Sequence, residues 1–530
     1  MTKSTKKVQY PRRRDLNPEP RMIFDQFKAE RKNSDRIWSS EQGKIFIWFE
    51  SGSGNLIVRA RAGTGKTTTI VEGAQRAPET RILLAAFNKA IQKELESRIT
   101  SPSVEAKTLH GLGFSFLRRS WPEVRVAEHG EREQRLAMRA CGDRAPEEAV
   151  RLVGQVHTKA REILSVKATP DAIMEMMADF NLMPDDEMES DGCSPAWVAE
   201  MADEAVKLAS DRGILREDNL EIDFADMIFL PLWHGMVRPT YDLVVVDEAQ
   251  DMTASQLQLA IQSCRKGGRI AIVGDDRQAI YSFRGADSKS LDRLKGILKA
   301  KELGLTTTYR CPKRVVEIAS QYVPDFRAAA SAPEGIVERH TRDRMIESAG
   351  PSDFILSRTN APLIKICLAI LRQGRRAIVR GRDLGKGIKS LVNRQKASDL
   401  PALLGLLVEW KHREHKKASR LPDKKMAARL DYVDDQYAVV ESLADDCDSL
   451  PGLKAKLDDL FSDNNVDSCV ICSTVHKAKG LESSNVFLLE DTFFRRKPKD
   501  EDEQHEEENI MYVAVTRSKG RLVYVSIGER

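Results

Sequence analysis

Short apolar runs alternate with polar, helix-like stretches over much of the chain. Residues 56–58, 81–87, 243–246 and 269–273 are apolar over most of their length, which predicts buried strands. The polar segment NKAIQKELESRI, which opens at Asn88, predicts a helix with an asparagine cap. Strands and helices that alternate in this way predict an α/β fold with parallel sheets.

From about residue 118 to residue 222 this alternation stops. The segment is rich in Glu, Arg, Ala and Met, and prolines interrupt it near Pro146, Pro170, Pro184 and Pro195. A helical composition without intervening strands predicts an inserted helical domain. Alternation then returns with the apolar run at 243–246.

A glycine-rich bend joins the first apolar run to a helix-like segment, in the stretch LIVRARAGTGKTTT at residues 56–69. Glycines let successive backbone N–H groups and the following helix N-terminus face an anion. Lys66 can then reach the β- and γ-phosphates of a nucleotide, and the Thr67 hydroxyl can ligate Mg²⁺. The general motif has a further glycine where this chain has Ala60. A Gly/Thr-rich turn is the structural alternative, but the intact GTGKT half favours a nucleotide site.

Two adjacent carboxylates, Asp247 and Glu248, follow the apolar run at 243–246. They stand at the carboxyl end of the predicted strand, the edge at which open α/β sheets bind ligands. Beside a phosphate-loop lysine, this pair predicts Mg²⁺ coordination by Asp247 and activation of water by Glu248. An Asp-Glu pair on its own is more often a helix cap.

Two glutamines lie where they can act on a nucleotide. The sequence SSEQGKIFIWF places Gln42 in the first turn of a helix capped by Ser39 or Ser40, and a glutamine amide can pair with an adenine edge. After residues 269–273 the chain continues as GDDRQAIYSFRGA, with Gln278 followed by aromatic residues and an arginine. This order would allow the nucleotide state to be coupled to bases stacked on the aromatic rings. Phe283 could instead be a residue of the apolar core.

The composition indicates which class of protein the chain belongs to. The 530 residues are 41% hydrophobic and 31% charged, as in soluble globular proteins of two to four domains. The net charge is only +4, so a nucleic-acid surface has to come from local clustering of charge. We find no apolar run of membrane-spanning length and no apolar region after the basic N-terminus, and expect a cytoplasmic protein, nucleoid-associated if bacterial or phage-encoded.

Zinc is not expected. The CxxC formed by Cys469 and Cys472 has no second pair and lies in an apolar, strand-like run, which favours buried thiols. His412 and His415 form a lone HxxH in a Lys/Arg-rich segment, which favours a solvated helix face.

The ordered motifs resemble those of superfamily 1 DNA helicases of the UvrD/Rep type. The AFNK, IDFADM and TYRCP variants are most similar to the F-box helicase branch, although we recognise no F-box. The matching stretches are Gln42, ARAGTGKT, AFNKA (86–90), TLHG (108–111), IDFADM (222–227), VDEAQD (246–251), GDDRQAIYSFRGA (274–286), TYRCP (308–312), SRTN (357–360), TVHKAKGLE (474–482) and EEENIMYVAVTRSK (506–519).

This resemblance implies a site for ATP and Mg²⁺ and a path for single-stranded DNA. The implied catalytic residues are Lys66, Glu248, Gln278, Arg310 and Arg517, with Gln278 sensing the γ-phosphate and the two arginines acting as arginine fingers. The implied nucleotide contacts are Gln42, Ala62, Gly63, Thr64, Gly65, Lys66, Thr67, Thr68, Tyr309 and Glu482, and the implied Mg²⁺ ligands are Thr67 and Asp247. The implied DNA contacts are Phe87, Asn88, Thr108, His110, Tyr281, Phe283, Arg284, Arg358, Asn360 and His476.

The resemblance also implies two RecA-like P-loop NTPase domains, each with a mainly helical insertion. The expected divisions are a basic arm at 1–38, domain 1A at 39–117 and 239–300, insertion 1B at 118–238, domain 2A at 301–384 and 466–530, and a reduced insertion 2B at 385–465.

The implied function is a 3′→5′ translocase or helicase on single-stranded DNA and at junctions with duplex. The alternatives are a non-unwinding DNA-dependent ATPase in a larger repair, replication or defence complex, and a nucleotide-gated binding module. The short 2B and a chain that ends before the family's strand-parting hairpin lead us to expect translocation with poor unwinding by the isolated monomer. Arg61 also replaces a glycine common in the family's phosphate loop.

Overall fold

The computed structural model describes residues 37–127, 130–164, 167–180, 182–184, 186–280, 290–419, 423–461, 468–494 and 501–528. The expected basic arm at 1–38 lies almost wholly outside these ranges. Tyr281, Phe283 and Arg284 lie outside them as well.

The N-terminal part begins as a regular alternation of helices and strands. In chain order the elements are α1 Ser40–Ser51, β1 Leu56–Ala60, α2 Lys66–Arg76, β2 Ile82–Ala86, α3 Lys89–Arg98, β3 Val104–Thr108 and α4 Leu109–Ser120. Hydroxyl or amide side chains cap several of these helices: Ser39 caps α1 in a capping box, Asn88 caps α3 and Thr108 caps α4.

A helical insertion follows. Its elements are β4 Arg125–Val126, α5 Glu131–Cys141, α6 Glu147–Ile163, α7 Pro170–Phe180, α8 Asp186–Ser190, α9 Pro195–Ser210, α10 Arg212–Glu217, β5 Glu221–Ile222 and α11 Asp226–Trp233. Helices α5, α6, α7 and α9 enclose an apolar core of their own. The insertion is therefore a separately packed helical unit, tied back through contacts of α11 with α4.

The chain then returns to the first sheet. The returning elements are β6 Tyr241–Val246, α12 Ala254–Ser263, β7 Cys264–Gly274, α13 Ser290–Leu298 and β8 Lys301–Leu305. The sheet has the order β3-β2-β6-β7-β1-β8, and all its pairings are parallel. Alternate residues of β6 enter different apolar clusters on the two faces, Leu243 and Val245 on one and Val244 and Val246 on the other. Both faces are thus covered by helices.

The C-terminal part repeats this architecture. It contains β9 Thr307–Thr308, α14 Lys313–Ala319, β10 Arg327–Ala328, β11 Ile336–Thr341, α15 Arg342–Ser348, β12 Phe354–Ser357, α16 Ala361–Arg372, β13 Ala377–Val379, α17 Arg382–Arg394, α18 Leu400–Ala418, α19 Asp423–Ala444, α20 Leu450–Leu460, β14 Val470–Thr474, α21 Val475–Ala478, β15 Ser483–Leu489, α22 Glu501–Val515 and β16 Ser518–Ser526. The second parallel sheet has the order β11-β16-β15-β12-β14-β13.

The second insertion, α17 to α20, shares its core with the second sheet. Leu391, Leu403 and Val439 of these helices belong to the same apolar cluster as Ile355 and Val523 of β12 and β16. We call the parts built on the first and second sheets the first and second units.

The expected α/β class, with parallel sheets flanked by helices, is confirmed. One expected boundary is corrected, because β8 at Lys301–Leu305 was assigned to the second unit. It pairs with β1 along its whole length, from Leu56 opposite Lys301 to Ala60 opposite Leu305. The KELGL sequence carries little apolar signal, and strand pairing is decided by distant residues.

Within the described ranges, we find no helix that combines the length and the apolar character needed to cross a membrane.

Candidate active site

The bend between β1 and α2 forms a loop shaped for an anion. Gly63 and Gly65 have φ values of +67° and +80°, a region that favours glycine. Gly65 is the N-cap of α2 and brings no side-chain acceptor. The backbone N–H groups of the first turn, which other helices here satisfy with a capping side chain, are therefore available to a phosphate.

Lys66 and Thr67 meet the two carboxylates that follow β6. Lys66 Nζ donates to Glu248 Oε2 at 2.8 Å. Thr67 Oγ1 lies 3.4 Å from Asp247 Oδ2, the pair expected to share Mg²⁺. A hydroxyl and a carboxylate oxygen on facing elements suit a hard divalent cation. No group of three or more His, Cys, Asp or Glu side chains that could hold a metal occurs among the described residues.

Burial and neighbouring charges shift the pKa values of these side chains in opposite directions. Burial and the neighbouring Glu248 raise the pKa of Asp247 to about 7. Burial also opposes ionisation of Glu248, but Lys66 and Lys479 outweigh it and lower the pKa of Glu248 to about 2. Burial would lower the pKa of Lys66, yet the nearby carboxylates raise it. Glu248 is thus held ionised and Lys66 charged at neutral pH.

The backbone of Glu248 is strained. Its φ of 52° and ψ of 40° lie in the left-handed region, which costs a residue with a side chain on the order of 1–3 kcal/mol. Its N–H donates to Asp247 Oδ1 at 2.9 Å, and Gln250 Nε2 donates to its Oε2 at 2.6 Å. These contacts fix the carboxylate at the strand end where water would be activated.

Gln250 was missed by the sequence analysis, although it lies inside the VDEAQD motif. It is almost fully buried, and its Oε1 accepts the N–H of Asp275 at 3.0 Å. A Cβ at Gly274 would come within 2.6 Å of this Oε1, so a larger residue there would displace the Gln250 amide. Gln250 therefore joins Glu248 to the segment that carries Gln278.

Gln278 lies at the end of a short 3₁₀ turn, Asp276–Gln278, after β7. Its Nε2 donates to Asp275 Oδ2 at 2.6 Å. Lys479 of the second unit donates to the carbonyl oxygen of Gln278 and to Asp251 Oδ1, both at 2.6 Å. Lys479 also had no assigned role, and a basic residue inside TVHKAKGLE was the one available signal.

The second unit packs directly on the phosphate loop. The N–H of Tyr309 donates to the carbonyl oxygen of Gly63 at 2.9 Å. A Cβ on Gly63 would come within 2.5 Å of Arg310 Cβ, so glycine is required for this contact as well as for the backbone angle. The N–H of Ala62 donates to the hydroxyl of buried Tyr512 at 2.8 Å. Tyr512 is a further contact that the sequence did not reveal.

The two expected arginine fingers differ in their surroundings. Arg310 Nε pairs with Glu482 Oε2 at 2.6 Å, and Lys519 lies 3.3 Å from the same carboxylate. Glu482, expected at the ribose, is therefore held by both cations. Arg517 is buried and donates to the carbonyl oxygens of Val513 and Leu481. Burial and the nearby Arg310 lower the pKa of Arg517 to about 10, as expected where an anion would be stabilising.

Gln42 is buried beside the loop. Its Oε1 accepts the N–H of Ser39, and its Nε2 donates to Thr69 Oγ1 at 3.0 Å. Its amide is thus part of the cap of α1 and of a contact to α2. Thr68 accepts from Arg98, and the Tyr309 side chain is 53% exposed.

An aromatic pair lies at the start of the expected DNA path. The ring of His110 stacks on that of Phe224, with centroids 4.0 Å apart and planes inclined by 27°. Phe224 is 55% exposed, whereas burial lowers the pKa of His110 to about 4, which keeps its ring neutral. Phe224 lies within the IDFADM stretch, but no feature of the sequence alone pointed to a role for it.

Buried ion pairs hold the loop that presents Phe224. The acidic residues on either side of it, Asp223 and Asp226, both pair with the fully buried Arg161. Arg132, also fully buried, donates to Asp226 Oδ2 at 2.7 Å. The aromatic ring is therefore displayed on a rigid support.

The other expected DNA contacts divide into two groups. Asn88 and Thr108 are helix caps and Phe87 is half-buried, all at the carboxyl ends of β2 and β3. In the second unit, Arg358 Nε donates to Glu507 and Asn360 Nδ2 to Asp435, while His476 is half-buried in α21. Arg358 and Asn360 are thus engaged within the protein.

Two family models match the chain. Residues 40–298 match the UvrD/REP helicase N-terminal domain, and residues 393–529 match the UvrD-like helicase C-terminal domain. Together they include the phosphate loop, the carboxylates after β6 and the segment of the second unit that contains Tyr512 and Arg517.

Several curated proteins are similar over most of the chain. F-box DNA helicase protein 1 of Schizosaccharomyces pombe is 27% identical over 92% of this chain and 57% of its own length. F-box DNA helicase 1 of Gallus gallus is 22% identical over 95% and 51%. ATP-dependent DNA helicase UvrD2 of Mycobacterium tuberculosis is 25% identical over 88% and 76%. The chain thus spans about half the length of the two F-box relatives.

Proposed function

Because the chain belongs to the UvrD-like helicase family, we propose that it is an ATP-driven motor that moves 3′→5′ along single-stranded DNA. The two family models cover about three quarters of the chain. The proposed activity includes displacement of bound proteins and entry into junctions with duplex DNA. A motor of this kind would work in the compartment that holds the DNA.

One observation carries the proposal. The phosphate loop of the first unit is in direct contact with the segment of the second unit that carries Arg310, since Tyr309 donates to the carbonyl oxygen of Gly63 and Arg310 packs against the same glycine. A nucleotide site built from two units is opened and closed when they move relative to each other. Binding and hydrolysis can therefore drive alternating grips on a strand.

Each residue has a distinct part in the proposed hydrolysis. Lys66 binds phosphate oxygens, and Glu248, held ionised, orients and deprotonates the attacking water. Thr67 and Asp247 would hold Mg²⁺, which would neutralise charge on the phosphates when bound. Arg310 exchanges the Glu482 carboxylate for a phosphate oxygen, and Arg517 adds a buried cation beside it.

The DNA side of the proposal rests on aromatic stacking. The exposed ring of Phe224, stacked on the half-buried His110, lies beside the carboxyl end of β3, and base stacking on such a ring is independent of sequence. The F-box and UvrD2 relatives are named DNA helicases, which supports DNA as the partner.

A translocation experiment tests the proposal. Single-stranded oligonucleotides of increasing length carry a fluorophore at the 5′ or the 3′ end, and the signal is followed after ATP is mixed with the preformed complex. We expect a lag that grows with length for the 5′-labelled strands only. Lys66→Ala is the control and should show no such phase.

Other outcomes have defined meanings. A length-dependent lag confined to 3′-labelled strands would reverse the proposed direction, and no length dependence at all would contradict translocation. Strand displacement on a 3′-tailed duplex then separates a helicase from a motor that does not unwind.

A further inference from the structure

Arg61 lies in the phosphate loop among three carboxylates. Its NH1 group donates to Asp275 Oδ1 at 3.1 Å and to Asp276 Oδ1 at 2.8 Å. Its Nε and NH2 groups form a fork on Asp325, at 2.9 Å to Oδ1 and 3.0 Å to Oδ2. Arg61 is only 7% exposed. Burial opposes the charge, but the carboxylates, Asp275 foremost, outweigh it and raise the pKa of Arg61.

The Asp275 carboxylate connects Arg61 to Gln278. Oδ1 of Asp275 accepts from Arg61 and from the N–H of Arg277, while Oδ2 accepts from Gln278 Nε2 at 2.6 Å. Asp275 is fully buried. A rotation of its carboxylate would break both sides of this connection, so the position of Arg61 restricts the orientation of the Gln278 amide.

Asp325, at the other end, belongs to the second unit. It lies between α14 and β10, and its neighbours Val323 and Phe326 are part of the core under the second sheet. The ring of Phe326 packs edge-on against Tyr512 with centroids 5.4 Å apart. The Asp325 side chain is 46% exposed. It is therefore the end of the connection that separates when the two units move apart.

We propose that Arg61 is a positioning residue that links contact between the two units to the placement of Gln278. The inference rests on the proposed ATPase function, in which Gln278 senses the γ-phosphate. With Asp325 in contact, the Arg61 guanidinium is held at both edges and Asp275 faces Gln278. When Asp325 withdraws, one edge of the guanidinium is released and Asp275 loses its fixed partner. Gln278 is then placed for hydrolysis only while the cleft is closed.

The variant Asp325→Asn tests this link in the full chain. It removes the charge at the second unit and keeps Arg61, Asp275 and Gln278. The matched control is Asp292→Asn, which breaks the 2.7 Å ion pair with Arg59, a residue of β1 two positions before Arg61. This pair lies within the first unit, and the substitution keeps the pairing of Arg59 with Asp276. Asp325→Glu restores the carboxylate and serves as the rescue.

Two readouts are used. Hydrogen exchange of the nucleotide-free protein over residues 274–280 should be faster in Asp325→Asn than in the wild type, because Asp275 also accepts an amide of that segment. In steady-state ATPase with saturating single-stranded DNA, kcat should fall about tenfold with KM for ATP within about twofold, since a charge-assisted contact is lost away from the nucleotide. Asp325→Glu should bring both the exchange rate over residues 274–280 and kcat most of the way back to the wild-type values. Asp292→Asn should match the wild type in both.

The inference is overturned by unchanged exchange and unchanged kcat in Asp325→Asn, by equal effects in Asp292→Asn, or by a change confined to KM. A wild-type chain without DNA-stimulated ATPase would refute the proposed function instead. The exchange measurement needs no turnover and still decides whether Asp325 controls the segment that carries Gln278.

Discussion

Glu248 is held in place by its own backbone, by Lys66 and by Gln250. Its proposed role as general base can therefore be tested separately from the phosphate contact proposed for Lys66. We expect Glu248→Gln to lower kcat by about 10²- to 10⁴-fold, because a general base is lost while the shape is kept. ATP affinity should stay near that of the wild type. Lys66→Ala should lose both turnover and ATP affinity, because it removes a phosphate contact.

Phosphate release and titration with a fluorescent nucleotide measure the two effects. Glu94→Gln removes an exposed glutamate from α3 and is the control. Near-normal turnover in Glu248→Gln would show that another group activates the water.

The proposed contact of Phe224 with DNA is tested by removing its ring. Phe224→Ala should weaken binding of a single-stranded oligonucleotide by about 1–3 kcal/mol, the usual value of one stacked base. Phe224→Tyr keeps the ring and should bind nearly as well. Fluorescence anisotropy measures the affinity, and Tyr432→Ala, an exposed aromatic residue of the second insertion, is the control. Equal affinity of Phe224→Ala and wild type would remove Phe224 from the DNA path.

Among the helices, Asp435 of α19 caps the N-terminus of α16, although the two are far apart in the sequence. Its carboxylate accepts the N–H groups of Asn360 and Ala361, at 2.9 and 2.8 Å, and the Asn360 side chain at 2.7 Å. Asp435→Ala should destabilise the second unit by about 1–2 kcal/mol, as loss of a helix cap does. Denaturant unfolding measures this, with Asp434→Ala as control because it breaks a surface ion pair with Lys411. Equal losses in both variants would refute the capping role.

The first insertion contains a fully buried histidine, His157, in α6. Burial and the nearby Arg161 lower the pKa of His157 to about 3. Between pH 3 and about 6.5 the unfolded chain binds a proton that the folded chain does not, so stability falls as the pH drops through that window. From pH 7 to pH 5 the loss from this group should be about 2 kcal/mol.

The variant His157→Gln can still donate to the Glu133 carbonyl oxygen and should lose less stability over the same pH interval. Denaturant unfolding at pH 7 and pH 5 gives the comparison, with His412→Gln as the control for removal of an exposed histidine. If the free energies of unfolding of the wild type and His157→Gln differ by the same amount at pH 7 and pH 5, His157 is not the group responsible for the pH dependence.

Local chemistry made some elements predictable and left others hidden. The helix start at Ser39 or Ser40, the glycine bend before Lys66 and the carboxylates after β6 depend on neighbouring residues, so the sequence pattern predicted them, and the structure shows Ser39 as the cap. The strand β8 was misplaced because its KELGL sequence gains its position from pairing with β1. Asp435 and Asp325 act on residues about 75 and 264 positions away, a relation that one sequence does not display.

For the whole molecule, a net charge of +4 means that the proposed affinity for DNA would have to come from local clusters of charge. We expect the logarithm of the binding constant for single-stranded DNA to fall linearly with the logarithm of salt concentration, because each neutralised phosphate releases a counterion. Anisotropy titrations between 50 and 300 mM salt, roughly the range in which such slopes are read, measure it. Affinity that is independent of salt would contradict phosphate contacts.

In the proposed function, the two units together hydrolyse ATP in response to single-stranded DNA. Steady-state ATP hydrolysis by the wild-type chain is measured while an unstructured oligonucleotide is titrated. We expect low turnover without DNA and a saturable, strong increase with DNA, absent in Glu248→Gln and in Arg310→Ala. Turnover that stays flat across the DNA titration, or a DNA response that survives both substitutions, would contradict it.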